Sequence, residues 1–122
     1  MNIPLFDGHC DALYKLMATL DQHLTDSDGQ WSLHRCQQFA PQAQIFAVFA
    51  DSAQPDANAQ AARQIQRMHQ ECALAPDRIA LCTTGTQAKE AVAAGKLAAF
   101  LSVEGAELLE REALPGLSVL AG

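Results

Sequence analysis

The chain has 122 residues, 49% hydrophobic and 18% charged, a balance that excludes a disordered or low-complexity polypeptide. Fourteen acidic residues against eight basic ones give a net charge of −6, and the basic residues are scattered, so no clustered positive face for nucleic acid is present. No apolar run approaches the ~18 residues of a membrane span, and the first eleven residues lack the basic and apolar regions of a secretory leader. The expectation is therefore a cytoplasmic protein with neither nucleic acid nor membrane as partner.

Read in chain order, strands and helices alternate. Ile3–His9 is a short apolar strand, with Asp7, His9 and Asp11 marking its end. Asp11–Leu20 spaces Leu13, Leu16, Met17 and Leu20 at i, i+3, i+4 and i+7, the period of a helix. Residues 21–31 are polar and contain an Asp-Gly pair, which reads as a loop. Gln44–Asp51 is a second strand whose apolar residues are continuous, as in a strand covered on both faces.

Asp56 is placed to cap a helix over 57–74, with Ala61, Ile65, Met68 and Cys72 on its apolar side and Pro76 as its stop. Gln64, Arg67 and Glu71 are read as lying off that side. Arg78–Cys82 is a third strand. Thr84 or Thr86 starts a helix through Ala94 that Gly95 terminates. Lys96–Val103 is a fourth apolar strand, followed by Glu104-Gly105, a helical stretch over 106–113 and a closing LPGLSVLAG. This alternation argues an α/β fold with a parallel sheet; the pattern leaves open whether it is a barrel or an open sheet.

Four cysteines, Cys10, Cys36, Cys72 and Cys82, stand at irregular intervals with no C-x-x-C pair. That spacing suits reduced, partly buried thiols better than a zinc site or a disulfide framework.

The chemistry concentrates at two strand ends. In an extended chain His9 and Asp11 project to one face, about 7 Å apart, while Cys10 points away. An imidazole and a carboxylate converging at a strand end suit divalent metals, and the carboxyl ends of strands are where α/β folds build their sites. Chance yields a His-x-Asp pair in roughly one such sequence in four, so position carries the argument rather than the pair itself. Glu104 occupies the matching place on the fourth strand, with first-turn helix stabilisation as its competing role. His23, His34 and His69 read as solvated. Thr83–Thr86 reads as capping as readily as an anion site, and Asp51-Ser52 as a turn. Neither G-x-S-x-G nor a phosphate loop occurs.

Phe6-Asp7-Gly8-His9-Cys10-Asp11-Ala12-Leu13 resembles the opening D-x-H-x-D-x-L segment of the membrane (renal-type) dipeptidases, zinc peptidases of the amidohydrolase superfamily. The segment 43–51 is similar to their second strand. Gly95-Lys96 and Val103-Glu104-Gly105 match their strand of the form G-[KR]-x-A-x-x-x-x-[IV]-E-G. The resemblance implies a (β/α)8 barrel with its site at the carboxyl face. It implies a zinc-dependent dipeptidase, in which two zincs activate a hydroxide that attacks the peptide bond of a dipeptide or small amide. His9 and Asp11 then bind one zinc and Glu104 bridges both.

The family's two later histidine ligands have no counterpart after Glu104, and a complete barrel takes at least ~200 residues. Residues 1–122 are therefore expected to form a partial barrel domain, about the N-terminal half, inactive alone. The competing reading is a non-catalytic half-barrel or binding module with relict metal residues. Open strand edges, together with the family's habit, point to a homodimer.

Overall fold

A computed structural model describes residues 3–105. In chain order it contains β1 (Ile3–Cys10), α1 (Ala12–Met17), a 3₁₀ turn at His34–Cys36, β2 (Phe39–Val48), α2 (Ala57–Leu74), β3 (Ile79–Leu81), α3 (Gly85–Ala93) and β4 (Leu97–Val103). The helix expected over 106–113 and the closing segment lie outside the described residues.

Local chemistry accounts for most of the boundaries. Thr84 caps α3 by accepting from the Gln87 amide at 3.1 Å, and the Gln87 side chain returns to accept from the Thr83 amide at 2.7 Å. This is a capping box displaced by one residue. Gly95, at φ +78°, closes the same helix in the left-handed region that glycine adopts without strain. α2 ends one residue before Ala75-Pro76.

Two elements differ from the sequence reading. α1 stops at Met17 rather than Leu20, which leaves Leu20 exposed, because the chain turns to bring Leu24 into the core. β2 starts five residues early, at Phe39, runs through Pro41 and ends at Val48 rather than Asp51. Residues 39–42 pair with β1 alone, so the missing proline N–H costs no bond to β4.

All strand pairs are parallel, and the sheet order is β1-β2-β4-β3. A strictly sequential wall would seat β3 between β2 and β4. Instead β3 is three residues long and pairs with the first half of β4, from Leu97 to Ala99. The three long strands are thus contiguous, and the ends of β1 and β4 flank the end of β2.

Both sheet faces are covered, as the continuous apolar strands require. Phe46, Val48, Leu97 and Ala99 pack with Leu13 and Leu16 of α1 and with Ala61, Ile65 and Met68 of α2. Ala43, Ala98 and Phe100, on the opposite face, pack with Ala88, Ala91 and Val92 of α3. Trp31 from the long loop stacks edge-on against Phe46, with ring centroids 4.9 Å apart.

That loop is tied to α2 by a charged pair the sequence reading placed away from the core. Glu71 and Arg67 are 3% and 8% exposed. Glu71 Oε1 accepts from the Leu24 amide at 2.6 Å, and Oε2 accepts from Arg67 Nε at 3.0 Å and His23 Nδ1 at 2.9 Å. Arg67 donates onward to the carbonyls of Leu16 and Gln22. Gln64, also buried, bonds both the amide and the carbonyl of Phe49. All three polar residues are buried because loop backbone satisfies them. Their visible signal is the 64, 67, 71 spacing beside the apolar stripe.

Candidate metal centre

β1 does not reach its end as a regular strand. Asp7 pairs with Gln44 and Cys10 with Phe46, so three steps along β1 match two along β2. The extra residue is a β-bulge, a device that turns a side chain away from where strict alternation would send it. Asp7 directs its carboxylate to Gln44, whose Nε2 lies 3.0 Å from Asp7 Oδ2. Cys10 packs into the α1/α2 core, and His9 between them is exposed.

Asp11 is not extended. It stands at the N-cap of α1 with φ −102° and ψ 30°, and its carboxylate caps no backbone amide. Asp11 Oδ2 lies 3.3 Å from His9 Nε2 instead. The two side chains therefore converge through a bulge and a helix start, not through the i, i+2 alternation that the sequence suggests. Glu104 arrives by a third route. Its amide donates to the Val48 carbonyl at 2.9 Å, carrying the β2–β4 ladder one residue past the strand, and Gly105 then turns the chain at φ +88°. Val103 packs into the α1/α2 core, so the next side chain projects from the other face.

Glu104 Oε2 lies 3.9 Å from His9 Nε2. One nitrogen and two carboxylate oxygens of His9, Asp11 and Glu104 all fall within 4.8 Å of one another, the one such group among the described residues. Each side chain is about half exposed. A neutral imidazole with two carboxylates is a donor set for a borderline divalent cation, and half-exposure leaves room for further ligands. The residues present fit zinc.

A cavity of about 990 Å³ opens beside the cluster, lined by His9, Asp11, Lys15, Trp31 and Arg35 among others. Arg35 holds its loop wall through Ser32 Oγ and the carbonyls of Ser27 and Gly29. Burial, reinforced by the nearby Asp7 and Asp11 charges, pushes the Cys10 thiol up to about 11, and its side chain packs against the core instead of joining the cluster. His69 is exposed on α2, while His23 is bonded to Glu71 rather than merely solvated. Asp51 Oδ1 accepts from the Ala53 amide and forms a turn. Asp7 and Gln44, which flank the bulge, are not among the candidate ligands read from the sequence. The Asp7 signal was the first residue of the D-x-H-x-D segment; Gln44 carried none beyond a polar residue inside an apolar strand.

A family model described as Membrane dipeptidase (Peptidase family M19) matches residues 1–118. No curated protein sequence matches the chain. Among solved structures, the chain is similar to a metallo peptidase from Rhodobacter sphaeroides liganded with a phosphinate mimic of the dipeptide L-Ala-D-Ala. The TM-score is 0.76 at 22% identity, over 97% of this chain and 43% of that one. The likeness is one of fold, and this chain spans less than half of that structure, as a partial barrel of the metallopeptidase type does.

The family match overturns the cytoplasmic placement expected above. The family is one of membrane dipeptidases, and four free thiols, three partly buried and one buried, do not fix a compartment. No helix among the described residues is long and apolar enough to cross a membrane. With a family model matched over nearly its whole length, the chain belongs to the membrane dipeptidase family, a family of hydrolases.

Proposed function

We propose that residues 1–122 carry the N-terminal share of a zinc-dependent dipeptidase site, in a partial barrel domain, with His9 and Asp11 on one zinc and Glu104 bridging two. The observation behind this reading is the convergence of the three donors within 4.8 Å from sequence positions as far apart as 9 and 104. Bound zinc supplies Lewis acidity toward a peptide carbonyl and acidifies water for its hydrolysis.

The chain's own residues prepare for that chemistry. His9 offers Nε2, which lies 3.3 Å from Asp11 Oδ2, as the nitrogen donor that would hold the ion. Asp11 and Glu104 supply two negative charges to a dication, and Glu104 has two oxygens with which to bridge. The cavity at His9 and Asp11 has the volume for a dipeptide, the substrate class of the family.

Titration of the purified chain with Zn²⁺ and Co²⁺ tests the assignment. Binding that weakens at least tenfold in H9A and E104Q is expected, and equal affinity in all three proteins refutes it. The second reading, a binding module without catalysis, draws on the three half-exposed donors and the 43% coverage. Dipeptide hydrolysis by the zinc-loaded chain alone would eliminate it. The outer edge of β1 and, beyond Ala99, the edge of β4 that faces away from β2 are unpaired among the described residues, which supports a homodimer through strand pairing. Sizing at several concentrations tests that arm.

A further inference from the structure

One chain of hydrogen bonds runs from the interior of the sheet to His9, and it uses neither of the other cluster residues. Gln44 on β2 is fully buried, and its Nε2 donates to Asp7 Oδ2 at 3.0 Å. Asp7 Oδ1 accepts from the His9 backbone amide at 3.3 Å. Asp7 and Gln44 are register partners, and the extra residue of β1 follows them directly.

In a regular strand Asp7 and His9 would share a face. A bulge instead leaves a residue out of the ladder, with a backbone group that needs another partner. Asp7 provides one, while Cys10 anchors the far side of the bulge in the core. We propose that Asp7, braced by Gln44, is the positioning residue that aims His9 at Asp11 and Glu104, an inference that rests on the metal reading above.

The state of Gln44 supports this. Its Oε1 is buried without a partner. Turning the amide over would relieve neither end, because it would set an oxygen against both the Asp7 carboxylate and the Ile45 carbonyl, to which Nε2 also donates at 3.2 Å. Asp7 and Ile45 together therefore set the amide orientation, and Asp7 has one oxygen bonded by Gln44 and the other by His9. Each oxygen thus has a protein donor, and Asp7 is not among the clustered donors.

The arrangement makes an asymmetric prediction. D7N brings an amide donor to Gln44, whose side chain can turn over to present Oε1 only by giving up its bond to the Ile45 carbonyl, while the remaining oxygen still accepts from His9. D7A has nothing to offer either partner. The test measures the His9 amide exchange rate by NMR in the metal-free chain, and Co²⁺ affinity by its visible absorption.

D7A is expected to exchange about fivefold faster at His9, the worth of one ordinary hydrogen bond. It is expected to bind Co²⁺ roughly 10- to 100-fold more weakly, the usual cost of losing an outer-sphere support. D7N should lie closer to the parent than D7A in both, because the acceptor for the His9 amide is kept. Should D7A fail to fold, Q44L removes the brace while keeping Asp7, and must shift both readouts in the same direction. Unchanged His9 exchange in D7A, or D7A and D7N weakened equally toward Co²⁺, would overturn the proposal. A parent chain that takes up no Co²⁺ sinks the metal reading instead, and the His9 exchange still decides the brace.

Discussion

Replacing Glu71 with alanine tests how the loop beside the cluster is held. The carboxylate is 3% exposed and accepts three hydrogen bonds, from His23, the Leu24 amide and Arg67. Removing it leaves Arg67, 8% exposed, without its counter-charge, a loss that costs about 3–5 kcal/mol for a buried pair. The Leu24 amide is orphaned too, and a buried unsatisfied donor adds about 1–3 kcal/mol unless water reaches it. Against a total stability of about 5–15 kcal/mol, E71A should lose a third of it or more. Urea denaturation followed by circular dichroism measures this directly, and the melting temperature should fall by at least 10 °C, on the order expected for a domain of this size.

The same group fixes a pH dependence. Burial pushes the Glu71 carboxyl up, but the bonds from His23, Leu24 and Arg67 outweigh it and hold the carboxyl below its ordinary value of 4.5. A depressed value means that the unfolded chain binds the proton first. The stabilisation is complete above pH 4.5 and disappears as the pH falls through the folded-state value. E71Q should therefore flatten the acid limb of the stability curve. A loss below 1 kcal/mol in E71A, or an acid limb unchanged in E71Q, would refute the idea that this pair anchors the loop.

Zinc at about a hundred times its dissociation constant should stabilise the chain by ~2.7 kcal/mol, and binding weakened tenfold or more in D11N and E104Q should cut this to ~1.4 kcal/mol or less at the same zinc concentration. Burial pushes both Cys10 and Cys72 up to about 11, so iodoacetamide at pH 8 should label neither appreciably in the folded chain, with labelling rising only in strong alkali; mass spectrometry of the digest reads this out. T84A removes the oxygen that accepts from the Gln87 amide and should cost ~1 kcal/mol in urea unfolding. G95A, at φ +78° with open space around it, should cost a similar ~1 kcal/mol from backbone strain alone, without a steric clash.

What the sequence disclosed depended on whether a residue's role is local. Apolar runs at Gln44 and Lys96 announced strands because burial on both faces leaves a continuous signature, and Thr84 and Gly95 announced the ends of α3 because capping acts within a few residues. The polar trio of α2 has no such signature. Gln64, Arg67 and Glu71 are buried only because loop residues 16–24 and Phe49 supply partners 15 to 51 residues away, and helical periodicity is blind to those. The strand order was hidden for the same reason, since the pairing of β4 with both β2 and β3 is a long-range choice.

The cluster is the instructive case, because its members were legible while its geometry was not. Strand alternation would bring His9 and Asp11 together at about 7 Å. The structure brings their polar atoms to 3.3 Å by breaking that alternation twice, with a bulge before His9 and a helix start at Asp11. Glu104 then joins because β2 alone separates β1 from β4, so the short β3 must sit outside that pair for the site to form. If β3 were inserted between β2 and β4, the added strand would push the two ends about 4.8 Å further apart, as much as the whole present span of the donor atoms. The sheet order is thus a condition of the site, and the D-x-H-x-D segment and Glu104 have a joint meaning only within it.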